Sequence, residues 1–368
     1  MKAITLKPHT KDVQLKDNWP EPNIEKDDEV KVQIIEVGIC GTDREEASGG
    51  RADAPDGEEL LVIGHEMLGL VVEIGKEVKN FKKDDLTVIT VRRGCGQCEP
   101  CKNNCFDMCK TGLYQERGIK QRHGYQCEYV VEKEKFLVKV PDSIKNIAVL
   151  TEPTTVVEKA IDESTRLQNE RLPYEDNPEK WLRGKKILIA GLGPIGLLAA
   201  MVLRVKDVDV TGIDIVDPSS KRPQILNEMG GKYIRSSDLF KEDFSKLENQ
   251  FDMIIEAAGI AKLDFDLINI LGINGIYVLT GVPGDTRELN IKGGEIMKQL
   301  VLKNQIILGS VNAGNIHFKY AINDLEKASK KWPNLIEQLI THREPYQNFK
   351  DVLFKHDPNE IKAVIKWS

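Results

Sequence analysis

No stretch of this chain stays apolar for the roughly 18 residues that a membrane-crossing helix requires, so the expectation is a protein with no membrane partner. The opening Met1-Lys-Ala-Ile-Thr-Leu lacks the charged, apolar and small-residue order of a secretory signal, which makes the cytoplasm the expected compartment. No stripe of lysine and arginine is sustained and the formal charge of -6 is spread thinly, which argues against a nucleic-acid partner. Proline is sparse at 16 residues, and 40% hydrophobic with 30% charged residues describes an ordinary globule rather than a low-complexity chain. At roughly 150 residues per domain, 368 residues exceed one core and predict two or three domains.

Cysteine is scarce except in one place. Of seven, Cys40 and Cys127 stand apart and five fall between Cys95 and Cys109. In a cytoplasmic chain so tight a cluster fits metal better than a disulfide scaffold. Cys95-x2-Cys98-x2-Cys101-x7-Cys109 places four soft thiolates where one loop can wrap a tetrahedral zinc, with Gly94, Gly96 and Pro100 turning the chain between ligands. Four thiolates leave no open coordination position, so the expected role is structural, with a redox or iron–sulfur site as the alternative. Cys105 reads as a spare thiol in the loop or as a ligand that swaps with a neighbour.

A second pattern is dispersed: Cys40, the run Gly64-His65-Glu66, and the pair Glu152-Pro153. Thiolate, imidazole and carboxylate form a mixed set that suits zinc and leaves a position for water or substrate. Taken singly they read as a buried thiol, a satisfied histidine and surface carboxylates; with the closed loop and a nucleotide turn downstream, the joint reading is a catalytic centre.

That turn is Lys185-Lys-Ile-Leu-Ile-Ala-Gly191-Leu-Gly193-Pro194-Ile195-Gly196, an apolar run feeding a G-x-G-x-x-G motif. Ile187 to Ala190 read as a buried parallel strand, Gly191 permits the tight turn, Gly193 lets the backbone approach a pyrophosphate, and Gly196 allows close helix packing. The helix from Leu197 to Val205 can hold an anion on its free N–H groups. Val208 to Ile215 reads as a second strand, with Asp214 placed 18 residues beyond Gly196 to accept from a ribose 2′-hydroxyl. Asp214 favours NAD, whereas Ser219, Ser220, Lys221 and Arg222 can soften that preference toward NADP. Strand-like runs at 251–259, 275–281 and 304–310 continue an alternating α/β pattern.

Upstream, alternation is clearest at Val30 to Val37, followed by β-like runs at 69–74, 86–91 and 127–130; this predicts a β-rich unit through about residue 155. Residues 161–184 are polar and interrupted by Pro173, Pro178 and Gly184, so they read as a surface connection, with Glu158 and Lys159 of a preceding helix facing solvent. Ile361 to Trp367 alternates as a terminal strand.

With these residues in view, the chain resembles the zinc-containing medium-chain alcohol and polyol dehydrogenases and is similar along most of its length to the archaeal-type glucose dehydrogenases among them. The resemblance is carried by Gly38-Ile-Cys40-Gly-Thr42-Asp43, Gly64-His65-Glu66-x-x-Gly69, Arg92-Arg-Gly-Cys95-Gly-x-Cys98, Glu152-Pro153 and Gly191-Leu-Gly193-Pro-Ile-Gly196. It implies an α/β fold in which a Rossmann nucleotide-binding domain, 185–312, joins a β-rich GroES-like catalytic domain built from 1–160 and a return segment, 313–368. It also implies a catalytic zinc near Cys40, His65 and Glu152, with Glu66 as an exchanging carboxylate and Thr42 touching the substrate hydroxyl.

Glu116 and Asn312 resemble sugar-contacting positions, while Val91, Val156 and Leu302 stand where polar residues are expected. The activity implied is hydride transfer from an aldose such as D-glucose to NAD(P)+, giving the lactone; the runner-up is NAD-dependent oxidation of a polyol or secondary alcohol. A dimer or tetramer fits the resemblance. A zinc-ribbon binding protein is the remaining reading, and it leaves the nucleotide turn unexplained.

Overall fold

A computed structural model describes residues 1–172, 181–239, 250–284, 287–355 and 357–368. The chain divides into two compact units, one of Met1–Thr155, Asn312–Ser329 and Ile336–Ser368, the other of Val156–Val311 and Lys330–Leu335. Among the described residues, no helix is long and apolar enough to cross a membrane.

The first unit is organised on the strand Glu29–Ile39, whose Val30, Val32, Ile34 and Val37 are all buried. It pairs antiparallel with Glu66–Ile74, Tyr129–Lys133 and Lys362–Lys366 within a seven-stranded sheet. A register shift between Ile34 and Glu36 sets Gly38 opposite Glu66, and the terminal strand sets Val364 opposite the same glycine. Gly38 has no room for a Cβ, because the Glu66 carboxylate and the Lys362 side chain fill that space. The alternation of the last strand therefore marks a strand correctly but hides that Lys362 is buried. Elsewhere in this unit, Arg93, Arg117 and Arg122 converge on Glu132 Oε2 at 2.7, 2.9 and 3.1 Å. Burial alone would push the Glu132 carboxyl up, and the three guanidinium groups outweigh it and hold the carboxyl far below its usual range.

The second unit holds a six-stranded parallel sheet in the order Lys232–Arg235, Asp209–Asp214, Lys186–Ala190, Phe251–Glu256, Leu271–Leu279, Ile306–Gly309. Strand order reverses on either side of Lys186–Ala190, so the carboxyl ends of the strands there form the crevice in which α/β sheets bind ligands. Leu188, Ala190, Ile213 and Ile254 fill the core, as expected of strands covered on both faces.

The segment read as a polar surface connection differs. Thr151–Arg171 is one continuous helix of 21 residues, and it crosses from the first unit to the second after Thr155. Glu158 and Lys159, expected in solvent, are buried, with Lys159 Nζ donating to Val311 O at 3.0 Å. Polar residues beyond them are buried with partners of two kinds: Ser164 Oγ donates to Ala160 O within the helix at 2.6 Å, and Gln168 Nε2 donates to Asn274 O of another segment at 2.7 Å. Pro173 and Pro178 lie outside the described residues.

Candidate active site

Cys40 ends the central strand and caps the helix Gly41–Ala47: its sulfur accepts from Thr42 N at 3.1 Å, and the Asp43 carboxylate accepts from Cys40 N at 2.8 Å. Thr42 is half-buried in the first turn. Asp43 is sealed from solvent and its Oδ1 lies 3.4 Å from His65 Nδ1. Burial pulls His65 down, but the Asp43 carboxylate and the Cys40 sulfur outweigh it and raise the imidazole well above its ordinary value. Lys362, also buried, pairs with Glu66 Oε2.

Donor atoms of Cys40, His65 and Glu66 all lie within 4.8 Å of one another. The set fits zinc: sulfur, nitrogen and oxygen converge, and a carboxylate facing Nδ1 leaves the opposite ring nitrogen for a metal. Glu152 stands in the first turn of the long helix and is not one of the three converging donors. Its carboxyl nonetheless feels the charges of the group. Burial pushes it up to about 7, with His65 opposing and Glu66 adding to the rise.

In the second group, Cys95, Cys98, Cys101 and Cys109 also bring their sulfurs within 4.8 Å of one another. Sγ atoms of Cys95 and Cys101 are 3.9 Å apart and those of Cys98 and Cys109 are 4.0 Å apart. Tetrahedral zinc with Zn–S bonds of about 2.3 Å requires sulfur separations of about 3.8 Å, so the loop fits the ion. Gly94 has to be glycine, since a Cβ there would collide with Cys101 Sγ. Burial pushes the Cys101 thiol up to about 12, while the Thr111 hydroxyl, aided by Cys98 and Gln97 N–H groups, draws Cys95 down to about 5. A bound cation would favour the thiolate form of Cys101 as well. Cys105 is exposed and outside the group, and its sulfur faces Asn103 O.

Glu116 and Asn312, 196 positions apart, are in direct contact: Asn312 Nδ2 donates to Glu116 Oε1 at 2.7 Å. Arg92 adds donors to the same oxygen from Nε at 3.0 Å and Nη2 at 2.9 Å. Val91 is buried and Leu302 is exposed.

In the second unit, Gly191 adopts φ +88° where a Cβ would press on Ala258 N at 2.9 Å, and a Cβ on Gly196 would strike Gly191 O. Gly193 has open space around it and caps the helix Pro194–Val205, whose first-turn N–H donors are those of Ile195 and Gly196, Pro194 having none; such a helix start is the kind of donor set a phosphate cradle uses. Asp214 closes its strand, accepts from Leu192 N at 2.8 Å and Ile215 N at 2.6 Å, and has Arg222 Nη1 3.7 Å from Oδ2.

Sequence reading missed Lys362, Arg92, Asp43 as a partner of His65, and Glu46. The last is wholly buried on the helix after Cys40, with both carboxyl oxygens lacking a hydrogen-bond partner, and burial first and Asp43 second push it up to about 10.

A family model for the alcohol dehydrogenase GroES-like domain matches residues 26–142, and one for the glucose dehydrogenase C-terminus matches 145–367. Over its whole length the chain is 36% identical to a glucose 1-dehydrogenase of Methanocella arvoryzae, covering 99% of it, and 36% identical to that of Thermoproteus tenax, with the same coverage. Among solved structures it is similar to Haloferax mediterranei glucose dehydrogenase in complex with NADP, zinc and gluconolactone, at a TM-score of 0.87 and 31% identity across 100% of this chain and 99% of the other. The fold alone is shared with 2R,3R-butanediol dehydrogenase of Bacillus subtilis, at a TM-score of 0.79 and 22% identity across 100% and 99% of the two chains.

Proposed function

Because the chain belongs to the glucose 1-dehydrogenase family of zinc-containing medium-chain dehydrogenases, we propose that it oxidises D-glucose or a closely related aldose at the anomeric carbon and passes the hydride to NAD(P)+. The observation that carries this reading is that one compact unit holds both the Cys40–His65–Glu66 group and the Glu116–Asn312 pair. The anomeric C–H leaves as hydride, the hydroxyl proton is released, and the products are lactone, NAD(P)H and H+.

Cys40, His65 and Glu66 hold a catalytic zinc, with Glu152 as the carboxylate that completes or exchanges into the set. When bound, zinc supplies Lewis acidity to the substrate hydroxyl, and the nicotinamide supplies the hydride acceptor. Asp43 keeps His65 in one orientation. Thr42 Oγ1 accepts the hydroxyl proton as its own hydroxyl proton passes on toward solvent, while Glu116 and Asn312 select the sugar by hydrogen bonds to its hydroxyls. Cys95, Cys98, Cys101 and Cys109 hold a structural zinc. Gly191, Gly193 and Gly196 seat the pyrophosphate and Asp214 the adenosine ribose, with NAD preferred and Arg222 admitting NADP.

The proposal extends to assembly and compartment. Among the described residues Ile306–Gly309 pairs on one side only and its Ile307 is exposed, as are Met297, Val301 and Leu302 of the helix Gly293–Leu302, which supports a homodimer or tetramer. Seven free thiols support a reducing compartment such as the cytoplasm.

The test is a set of initial rates with aldoses, polyols and simple alcohols, each with NAD and NADP, on protein of measured zinc content. Fastest turnover on D-glucose or a related aldose supports the reading. Faster sorbitol or short-alcohol oxidation moves the substrate to the polyol branch, which the apolar Val91, Val156 and Leu302 favour.

A further inference from the structure

Arg92 touches two things that sequence analysis kept apart: the carboxylate proposed to read the sugar and the loop of four thiols. Its Nε and Nη2 hold Glu116 Oε1, and its third donor, Nη1, goes to Asp107 O at 2.6 Å. Asp107 sits in the short turn Phe106–Met108, between the ligand candidates Cys101 and Cys109. The guanidinium is buried and stacks 4.0 Å from the Tyr114 ring centroid, so its plane is fixed from one face as well as at its edges.

A second link joins the same turn to Asn312. Asn312 adopts φ +59° and accepts from Ala313 N through its own Oδ1 at 2.7 Å, which aims its amide at Glu116. Two residues on, Gly314 packs against Asp107: a Cβ at Gly314 would lie 2.9 Å from Asp107 Oδ1. Both donors on Glu116 Oε1 are thus braced by one residue of the metal loop. Among the described residues, the three hydrogen bonds to the Glu116 carboxylate all fall on Oε1 and Oε2 accepts none, and the side chain keeps 12% exposure.

We infer that Arg92 is a positioning residue through which the four-cysteine loop fixes Glu116, so that Glu116 Oε2 is presented to a sugar hydroxyl in one orientation. The loop then contributes to substrate affinity as well as to folding. This rests on the proposed aldose reading of the Glu116–Asn312 pair.

A lysine in place of Arg92 keeps the charge but cannot span Glu116 Oε1 and Asp107 O with a planar fork. Arg92→Lys is expected to raise KM for D-glucose about tenfold, with kcat within about twofold and KM for the dinucleotide unchanged. Calorimetric binding of D-glucose to the zinc-loaded, cofactor-free protein should weaken by the same factor. In an Glu116→Ala background the Arg92→Lys change should add less than twofold, because its target is gone.

An unchanged glucose KM and dissociation constant in Arg92→Lys, with wild type oxidising glucose, overturns the inference and leaves the aldose reading standing. Equal losses in the two backgrounds overturn it as well, since they assign Arg92 to general stability. If wild type neither binds nor oxidises any aldose, the aldose reading itself fails and the inference falls with it. Arg92→Met is the second variant: folded protein of normal zinc content with a larger rise in glucose KM supports the inference, and a lowered melting point with unchanged KM counts against it.

Discussion

Lys362 pairs with Glu66 Oε2 at a point where the two side chains are 1% and 2% exposed. Burial draws the lysine's pKa down, and Glu66 with the neighbouring Cys40 and Asp43 outweighs it and keeps the ammonium charged. Charges so deeply placed are costly singly, and removing one partner of such a pair costs about 3–5 kcal/mol because the other is left uncompensated. A zinc ion held by Glu66, as proposed, would supply that compensation from another side. Lys362→Met is therefore expected to lower Tm strongly in chelator-treated protein and much less when the zinc sites are full. Melting curves of both forms decide it, and an equal drop in the two would show that Glu66 does not share charge with the metal.

The four-cysteine group predicts different consequences for two cysteines seven residues apart in sequence. Cys98 is buried among the four converging sulfurs, while Cys105 is exposed and outside them. Cys98→Ser should remove one of two zinc ions per chain and lower Tm by about 5 °C or more, since structural zinc contributes folding free energy. Cys105→Ser should leave zinc content and activity intact, with stability changed by less than about 0.5 kcal/mol. Metal analysis of the purified variants checks both; loss of zinc from Cys105→Ser would make it a ligand.

Much of this was legible from sequence, for reasons that differ by residue. Gly191, with its positive φ, and Gly196, packed on Gly191 O, are demanded by local backbone geometry, and the Cys95–Cys109 spacing encodes a loop of fixed reach, so both motifs can be read from sequence; Gly193, with open space around it, is not demanded in this way. Lys362 was opaque because an alternating strand assigns a lysine to the solvent side, and only pairing with Glu29–Ile39 carries it to Glu66. Arg92 was quoted within a motif, yet its contacts are set by Glu116 and Asp107 across a hairpin and a loop. Glu158 and Lys159 misled because polarity was taken for exposure, whereas the helix is buried there and Lys159 Nζ finds its acceptor in Val311 O, far along the chain. Glu46 carries no local signal at all: its burial follows from where the helix after Cys40 packs.

Asp264 offers a pH test away from either metal group. Burial first and the Glu256 carboxylate second push it up to about 7 from an unfolded value of 3.8, and its Oδ1 is buried without a hydrogen-bond partner. Between those values the native chain binds a proton that the unfolded chain does not, so stability from this group is complete below 3.8 and is lost as pH rises through about 7. Screening of a half-buried group limits the effect to about 1 kcal/mol. Asp264→Asn removes the ionisation, so the fall in urea midpoint from pH 4 to 8 should be shallower than in wild type by that amount. Parallel curves for the two proteins would assign the slope elsewhere.

Cofactor choice turns on a balance between Asp214 and Arg222. The carboxylate is anchored by Leu192 N and Ile215 N at the end of its strand, and in the proposed role it would accept from a ribose 2′-hydroxyl and repel a 2′-phosphate. Arg222, 3.7 Å from Asp214 Oδ2, offsets part of that charge and can turn toward the phosphate instead. Arg222→Ala should raise KM for NADP about tenfold while changing KM for NAD less than twofold, because only the phosphate loses a partner. Asp214→Asn should act in the opposite sense, weakening NAD through a poorer acceptor and improving NADP by removing the repulsion. Steady-state kinetics with both dinucleotides at saturating sugar measure the four constants. Should Arg222→Ala weaken both cofactors equally, the arginine serves to hold Asp214 rather than to read the 2′ substituent, and tolerance of NADP must come from another group on the same loop.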